Sequence, residues 1–186
     1  MDEFVPHPDL GLREHLIVAA PPEAVYEAVG LLRPDDLDSP LLHLLVWARD
    51  LPGKLRDGRP FATFDEILVG RQWTLLGEHP GEEIALGAAG RFWTPYVEWH
   101  EVTPDEFATY SRPRSGTIAL SFAVRPHGDA SSLVTFETRV AVTDAPSRRQ
   151  ASWYWHLVKP AAHIAARAML RAIRDRSLKR SHAASR

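Results

Sequence analysis

A charged pair interrupts the apolar segment that runs from residue 132 to residue 143. Glu137 and Arg139 are two positions apart in a stretch with the alternation of a β-strand, so their side chains share one face. One interpretation is an ion pair inside a ligand cavity, joined by Arg91, since arginine is well suited to holding the carboxylate of a ligand. The other is a solvated outer face, which the opposite, apolar face favours because such a face normally looks toward the core. That apolar face carries Val134, Phe136, Val140 and Val142.

Aromatic rings are the second feature that suggests a binding site. The chain has six tryptophans, and rings of this kind line ligand pockets, which are mostly apolar with a few polar groups. Aromatic rings also build ordinary cores, so both interpretations stay open. Trp93, Phe122 and Tyr154 are the preferred candidates for a pocket wall, with Leu157 close to Tyr154 on the same predicted helix.

Several kinds of chemistry lack their sequence signature. The chain has no cysteine, which excludes disulfides, thiolate catalysis and cysteine-based zinc sites. The nine histidines are scattered, without an H-E-x-x-H motif, and neither a G-x-S-x-G elbow nor a phosphate-binding glycine loop occurs. We therefore expect no metal, no cofactor and no catalytic residue that a motif identifies.

The elements that must position these residues form an α+β pattern. The segment 13–20 predicts a strand, PPEAVYEAVG predicts a helix that ends at Gly30, and the segment after Ser39 predicts a second short helix. Short turns such as GEHPGEE and RPHGDAS separate the later strands and make the sheet antiparallel. Those predicted strands are Ala62 to Leu68, Trp73 to Glu78, Glu83 to Ala88, Tyr96 to Val102, Glu106 to Ser111, Thr117 to Arg125 and Ser132 to Thr143.

The last element, from about Pro146 to Lys179, is a long amphipathic helix. Its apolar residues recur with the i, i+3, i+4, i+7 spacing of one helix face. Asp144 and Ser147 are both candidate N-caps. Pro160 predicts a kink rather than a stop. We expect this helix to lie on the sheet.

Charge is distributed unevenly between this helix and the rest of the chain. Up to Asp144 there are 23 acidic and 12 basic residues, a net −11, whereas from Ala145 onward one acidic and 10 basic residues give +9. Either the helix meets an anionic partner, or it rests on an acidic body; the spread of its cations favours the body. The N-terminus is unlike a signal peptide and no apolar run matches a bilayer, so a soluble cytoplasmic protein is expected.

The order of elements resembles the START/polyketide-cyclase/Bet v 1-like (SRPBCC) superfamily over about Glu14 to Arg176. The segments PPEAVYEAV, GRFWTP at 90–95, TFETRV at 135–140 and SRRQASWYWHLVKP at 147–160 are similar to a bacterial branch of it. The resemblance implies a helix-grip fold, in which a curved antiparallel sheet wraps a long C-terminal helix and leaves a cavity. We expect an irregular arm at 1–12, a single domain at 13–180 and a tail at 181–186.

The resemblance also implies non-covalent binding or transport of a hydrophobic or amphipathic small molecule, such as a lipid, polyketide or quinone. The alternative is a polyketide aromatase/cyclase-like enzyme, in which Tyr154 or His156 would transfer a proton near a ketone. A third possibility is an interaction module that uses the basic helix on a membrane or an acidic partner. We expect a monomer or homodimer with at most peripheral membrane contact and no nucleic acid. The expected ligand-binding residues are Arg91, Trp93, Phe122, Glu137, Arg139, Tyr154 and Leu157.

Overall fold

The computed structural model describes residues 1–32, 73–94 and 97–184. Within these ranges the chain has the predicted α+β helix-grip fold, a curved antiparallel sheet of six strands with a long C-terminal helix. The strand order is β1-β6-β5-β3-β2, with β4 beside β3. The elements are β1 (Leu10–Val18), α1 (Pro22–Gly30), β2 (Thr74–His79), β3 (Glu83–Arg91), β4 (Glu98–His100), α2 (Pro104–Ala108), β5 (Gly116–Pro126), β6 (Ser132–Val142) and α3 (Ala145–Ala184). The predicted second short helix and the predicted strand Ala62 to Leu68 lie outside the described residues.

The two longest strands form a hairpin whose turn follows from its sequence. Strands β5 and β6 pair from Gly116 opposite Val142 to Pro126 opposite Ser132. In the connection Gly128 adopts a left-handed φ of 71°, a conformation that glycine takes without a steric penalty. Burial alternates residue by residue along β6, as expected for a strand in a layered fold.

Helix α3 begins at the predicted cap. The Asp144 carboxylate accepts the backbone N–H of Ser147 at 2.9 Å, which satisfies one of the orphan donors of the first turn. Asp144 is therefore the N-cap, and Ser147 lies buried within the first turn. The helix continues through Pro160; a kink at this proline stays a prediction.

Helices pack on both faces of the sheet. We call the face that contacts α1 and α3 the inner face; it carries the largest apolar cluster, here the main cluster, which includes Val134, Phe136 and Ile173. We call the opposite face the outer face. Residues 1–9 and α2 cover it through an outer cluster of Val5, Leu76, Ala85, Phe107 and Ala119.

The predicted strand from Glu106 to Ser111 is wrong, because helix α2 occupies the start of this segment. The Thr103 hydroxyl accepts the N–H of Glu106 at 3.3 Å, and the Glu106 carboxylate accepts the N–H of Thr103 at 2.9 Å. This reciprocal pair is a capping box, which starts a helix rather than a strand. The helix then places Phe107, which is 2% exposed, against the outer face of the sheet.

Three strands also have bounds that differ from the prediction by more than one residue, among them β3, which continues past Ala88 to Arg91. Strand β1 runs from Leu10 to Val18 rather than from Arg13 to Ala20, and β4 covers only Glu98–His100. None of the helices in the described ranges combines the length and the apolar character needed to cross a bilayer.

Candidate ligand-binding site

A compact apolar cluster lies on the inner face at the end of the sheet where α3 begins. Strand β6 contributes Val140 and Val142, α3 contributes Ala151, and the connection after β3 contributes Trp93. We call this group the end cluster. Its partly buried neighbours are Leu10, Phe92, Ile118 and Tyr154.

Trp93 is the central ring of the end cluster. Its side chain is 6% exposed, and it forms a T-shaped pair with the Phe92 ring, with 5.0 Å between the centroids and 75° between the planes. A Cβ built on Gly116 would lie 3.2 Å from the indole, so the absence of a side chain there lets the ring approach β5 closely. The indole is thus held in place by β5, β6 and the start of α3.

The indole N–H of Trp93 is buried and has no acceptor within the described part of the chain. Indole nitrogen is a donor only, and buried polar groups are almost always paired. Leaving such a donor unpaired costs about 1–3 kcal/mol. An oxygen from a bound molecule would remove that cost.

An aromatic row crosses the middle of the inner face. Phe136 pairs with Phe122 across β6 and β5, and Phe122 pairs with Ile84 across β5 and β3. The two phenylalanine rings lie 5.0 Å apart at 47°. The row ends in a carboxylate on each side, Glu14 on β1 and Glu78 on β2. It therefore offers an apolar strip with polar groups only at its ends.

Helix α3 engages the Glu14 end of the row. The Glu14 carboxylate lies 2.6 Å from Nδ1 of His163 and accepts from Nε of Arg167 at 3.2 Å. Burial alone would raise the pKa of Glu14, but the hydrogen bonds from Arg167 and His163 outweigh it and hold the pKa below its usual value. The carboxylate is thus an anion that ties α3 to β1.

Helix α1 engages the opposite end. The Tyr26 hydroxyl donates to Glu78 at 2.5 Å. Burial, together with this hydrogen bond to a carboxylate, raises the pKa of Tyr26 to about 12. Tyr26 is therefore a neutral phenol at physiological pH and is a poor candidate for a general base.

The predicted site residues are only partly brought together. Trp93 is a member of the end cluster and Tyr154 packs against that cluster. Phe122 packs against the main cluster, and Ile118 contacts both clusters. Arg91 is the half-buried last residue of β3. Leu157 is 65% exposed, which is unlike a pocket wall.

Glu137 and Arg139 lie on the outer face, so the hypothesis that placed them inside the grip is corrected. Arg139 Nε donates to Glu137 at 2.7 Å, and Arg13 donates to the same carboxylate at 2.6 Å. Arg139 also donates to Asp2 at 2.5 Å. The physical reason is the alternation of β6, which turns the neighbouring residue Phe136 toward α3.

The alternative prediction, in which Glu137 and Arg139 lie on a solvated outer face, is right about the face but not about the exposure to solvent. Residues 1–9 cover the pair, and the side chains of Glu137 and Arg139 are 15% and 11% exposed. Burial would raise the pKa of Glu137, but the hydrogen bonds from Arg13 and Arg139 lower it below its usual value. The pair therefore fastens β1, β6 and the N-terminal segment to one another.

A polar chain on the outer face was missed by the sequence analysis. Nδ1 of His100 contacts the Tyr110 hydroxyl, which lies 2.9 Å from Oγ of Ser115. Ser115 is 1% exposed and donates to the carbonyl of Arg112 at 2.6 Å. A serine this buried is unsuited to attack a substrate, so the chain anchors the loop after α2. Three residues so far apart in sequence form no motif that could have indicated it.

The acid–base candidates differ in exposure. His156 is exposed, whereas Tyr154 is half-buried. In residues 1–32, 73–94 and 97–184, no group of three or more histidine, aspartate or glutamate side chains is arranged to hold a metal ion.

Comparison with protein-family models gives no match, and comparison with curated proteins gives none either. Among solved structures, TTHA0849 from Thermus thermophilus is 11% identical with a TM-score of 0.37, and the alignment covers 92% of this chain and 99% of that one. The Zhui aromatase/cyclase from Streptomyces sp. R1128 is 10% identical with a TM-score of 0.38, covering 90% and 94%. Norcoclaurine synthase from Thalictrum flavum is 12% identical with a TM-score of 0.29, covering 88% and 86%. At such identities and TM-scores, residue roles do not transfer to this chain.

Proposed function

We propose that the protein binds an amphipathic small molecule non-covalently on the inner face, between the end cluster and the aromatic row. The ligand carries a hydrophobic ring or chain and an oxygen acceptor, as lipids, polyketides and quinones do. The observation that carries this proposal is the buried indole N–H of Trp93, which has no acceptor among the described residues.

The proposed ligand is held by two kinds of interaction. Burial of its apolar surface against Phe122, Ile118 and the rings around Trp93 supplies affinity, at roughly 25 cal/mol per Å² as an upper guide. The indole N–H supplies orientation, because a hydrocarbon cannot satisfy it but a carbonyl or hydroxyl oxygen can. Arg139 and Glu137 take no part, since the sheet separates them from this face.

A matched pair of probes tests the role of the indole. Menadione is a bicyclic diketone, and 2-methylnaphthalene has the same carbon skeleton without oxygen; the chain has no cysteine with which the quinone could react. We expect menadione to bind more tightly in equilibrium dialysis. Trp93→Phe keeps a ring but removes the N–H, and should weaken menadione binding roughly three- to tenfold, the value of one neutral hydrogen bond, while changing 2-methylnaphthalene binding much less.

Trp155→Phe is the matched control, because Trp155 is partly buried against the main cluster and undergoes the same chemical change. Its preference for menadione over 2-methylnaphthalene should stay that of the wild type. The proposal fails if the wild type binds neither probe, or if Trp93→Phe leaves the preference for menadione unchanged.

A further inference from the structure

Two large apolar side chains protrude from the first half of α3. Trp153 is 73% exposed and Leu157 is 65% exposed, the highest values among the exposed large hydrophobic residues of the described chain. They are four positions apart and so stand one above the other on the same side of the helix. Exposed apolar side chains that occur singly need no explanation, whereas adjacent ones form a contiguous apolar patch, a feature that interaction surfaces share. We call this pair the helix patch.

The surroundings of the helix patch are cationic. From residue 145 to residue 174 the chain contains no aspartate or glutamate. Arg149, Lys159 and Arg171 are exposed on this stretch. Two further arginines are already neutralised by the body of the protein, Arg148 by Asp9 at 2.6 Å and Arg167 by Glu14 at 3.2 Å. Arg149 lies four positions before Trp153 and Arg171 lies five turns after it, so both are on the side of the helix patch. Neither forms a salt bridge with another residue of the described ranges, so a partner that reaches the helix patch meets apolar side chains and positive charge on one side of α3.

We infer that the helix patch docks on the surface of an anionic lipid bilayer. Tryptophan and leucine beside arginine and lysine is the composition of segments that lie in a membrane interface, where the rings enter the headgroup region and the cations contact anionic headgroups. A bilayer accepts protruding side chains of any shape, whereas a folded protein partner must offer a matching pocket. A second copy of the chain is a poor partner, because pairing the patch with itself would bring the cations on this side of both helices close together.

Vesicle sedimentation with the full chain tests this inference. We expect binding to vesicles that contain phosphatidylserine in phosphatidylcholine, much less binding to pure phosphatidylcholine, and loss of binding at high salt, because salt screens exposed charges. Trp153→Ala with Leu157→Ala should reduce binding about tenfold or more, since both apolar anchors are lost. Arg149→Gln with Arg171→Gln should reduce it by roughly fivefold per charge at low salt.

Matched controls remove the same groups elsewhere. Ile17 and Leu75 are also exposed, at 53% and 48%, so Ile17→Ala with Leu75→Ala should bind vesicles as the wild type does. Arg112→Gln with Arg125→Gln, two exposed cations outside α3, is the control for charge.

Three results would overturn the inference. The first is wild-type sedimentation that does not depend on phosphatidylserine. The second is sedimentation that Trp153→Ala with Leu157→Ala leaves intact. The third is a wild-type dimer in analytical ultracentrifugation that the same double variant converts to a monomer, which would make the patch a self-interface. Trp93→Phe should retain vesicle binding. Dialysis with menadione therefore tests the proposed ligand site, and vesicle sedimentation tests membrane docking independently of it.

Discussion

Glu14 is the residue through which the long helix is fastened to the first strand. Its carboxylate contacts both His163 and Arg167, and its side chain is 14% exposed although that of Arg167 is 61% exposed. Because the arginine faces solvent, screening limits the value of the ion pair. Most of the stabilisation therefore comes from satisfying a carboxylate that the fold has taken out of water.

This arrangement predicts a pH dependence of stability. The folded-state pKa of Glu14 lies below its usual value of 4.5, so the contribution of the carboxylate is fully present above that value and is lost as the pH falls through the folded-state pKa. Glu14→Gln should lower the free energy of unfolding by about 1–2 kcal/mol at pH 7, and the deficit should shrink in acid. Urea unfolding at a series of pH values measures both.

The exposed residue Glu101 provides the control for this series. Glu101→Gln removes the same charge at a position away from Glu14, His163 and Arg167. It should leave the free energy of unfolding within about 0.5 kcal/mol of the wild type. A Glu14→Gln deficit that is constant from pH 7 into acid would contradict the assignment of an ionised, stabilising carboxylate.

At the scale of elements, α2 is the part of the fold that depends most on close packing. Its Phe107 ring lies over Gly87 of β3, where an added Cβ would come within 2.6 Å of the ring and 2.7 Å of Leu76. Such overpacking in a filled site costs about 1–3 kcal/mol. The glycine is therefore needed for α2 to sit on the outer face.

Gly87→Ala should accordingly destabilise the protein by about 1–3 kcal/mol in thermal or urea unfolding. In a Phe107→Leu background the same substitution should cost less, because the smaller side chain makes room and neighbouring sites couple. Gly30→Ala is the control, since a Cβ there meets nothing within 4 Å. Equal costs in both backgrounds would show that α2 does not pack on Gly87 as described.

The elements themselves were largely predictable, and the exceptions have physical reasons. Alternation of apolar residues predicted β6, and helical spacing predicted α3, because each pattern persists over many residues. Helix α2 has a single turn, too short for periodicity to register, although Thr103 and Glu106 carried the capping-box signal. For Arg139 the sequence suggested either a cavity or solvent around the side chain. In the structure the side chain is bound by Asp2 and Val5, and no local sequence pattern indicates a contact across more than 130 residues.

The candidate site was predictable in its residue types but not in its arrangement. Trp93 and Tyr154 stood out as aromatic residues; Trp93 lies in the end cluster and Tyr154 packs against it. That Trp93 would be buried without an acceptor depends on where Val140, Val142 and Ala151 pack around it. Leu157 was predicted as a site residue from the helical pattern, which fixes the side of a helix but not what covers it.

At the scale of the whole molecule, the basic helix α3 is partly paired with the acidic body of the protein. Arginines near both ends of α3 form ion pairs with the body, Arg148 with Asp9 at 2.6 Å and Arg180 with Glu27 at 2.9 Å. Arg149, four positions before Trp153, stays exposed on the side of the helix patch. The two ion pairs agree with the sequence-based alternative of a helix that complements an acidic body, and the alternative of a helix offered to an anionic partner stays a prediction. In our proposals, the inner face binds the small molecule and the start of α3 brings the protein to a membrane.

The central claim is that the Trp93 indole N–H donates to an oxygen of a bound ligand, and indole ¹⁵N–¹H correlation spectra test it directly. The six tryptophans give six indole resonances, and Trp93→Phe identifies the one that belongs to Trp93. We predict that menadione moves this resonance downfield, as a new hydrogen bond does, and that 2-methylnaphthalene does not. A Trp93 resonance that stays in place at saturating menadione, or that moves equally with both probes, would contradict the account.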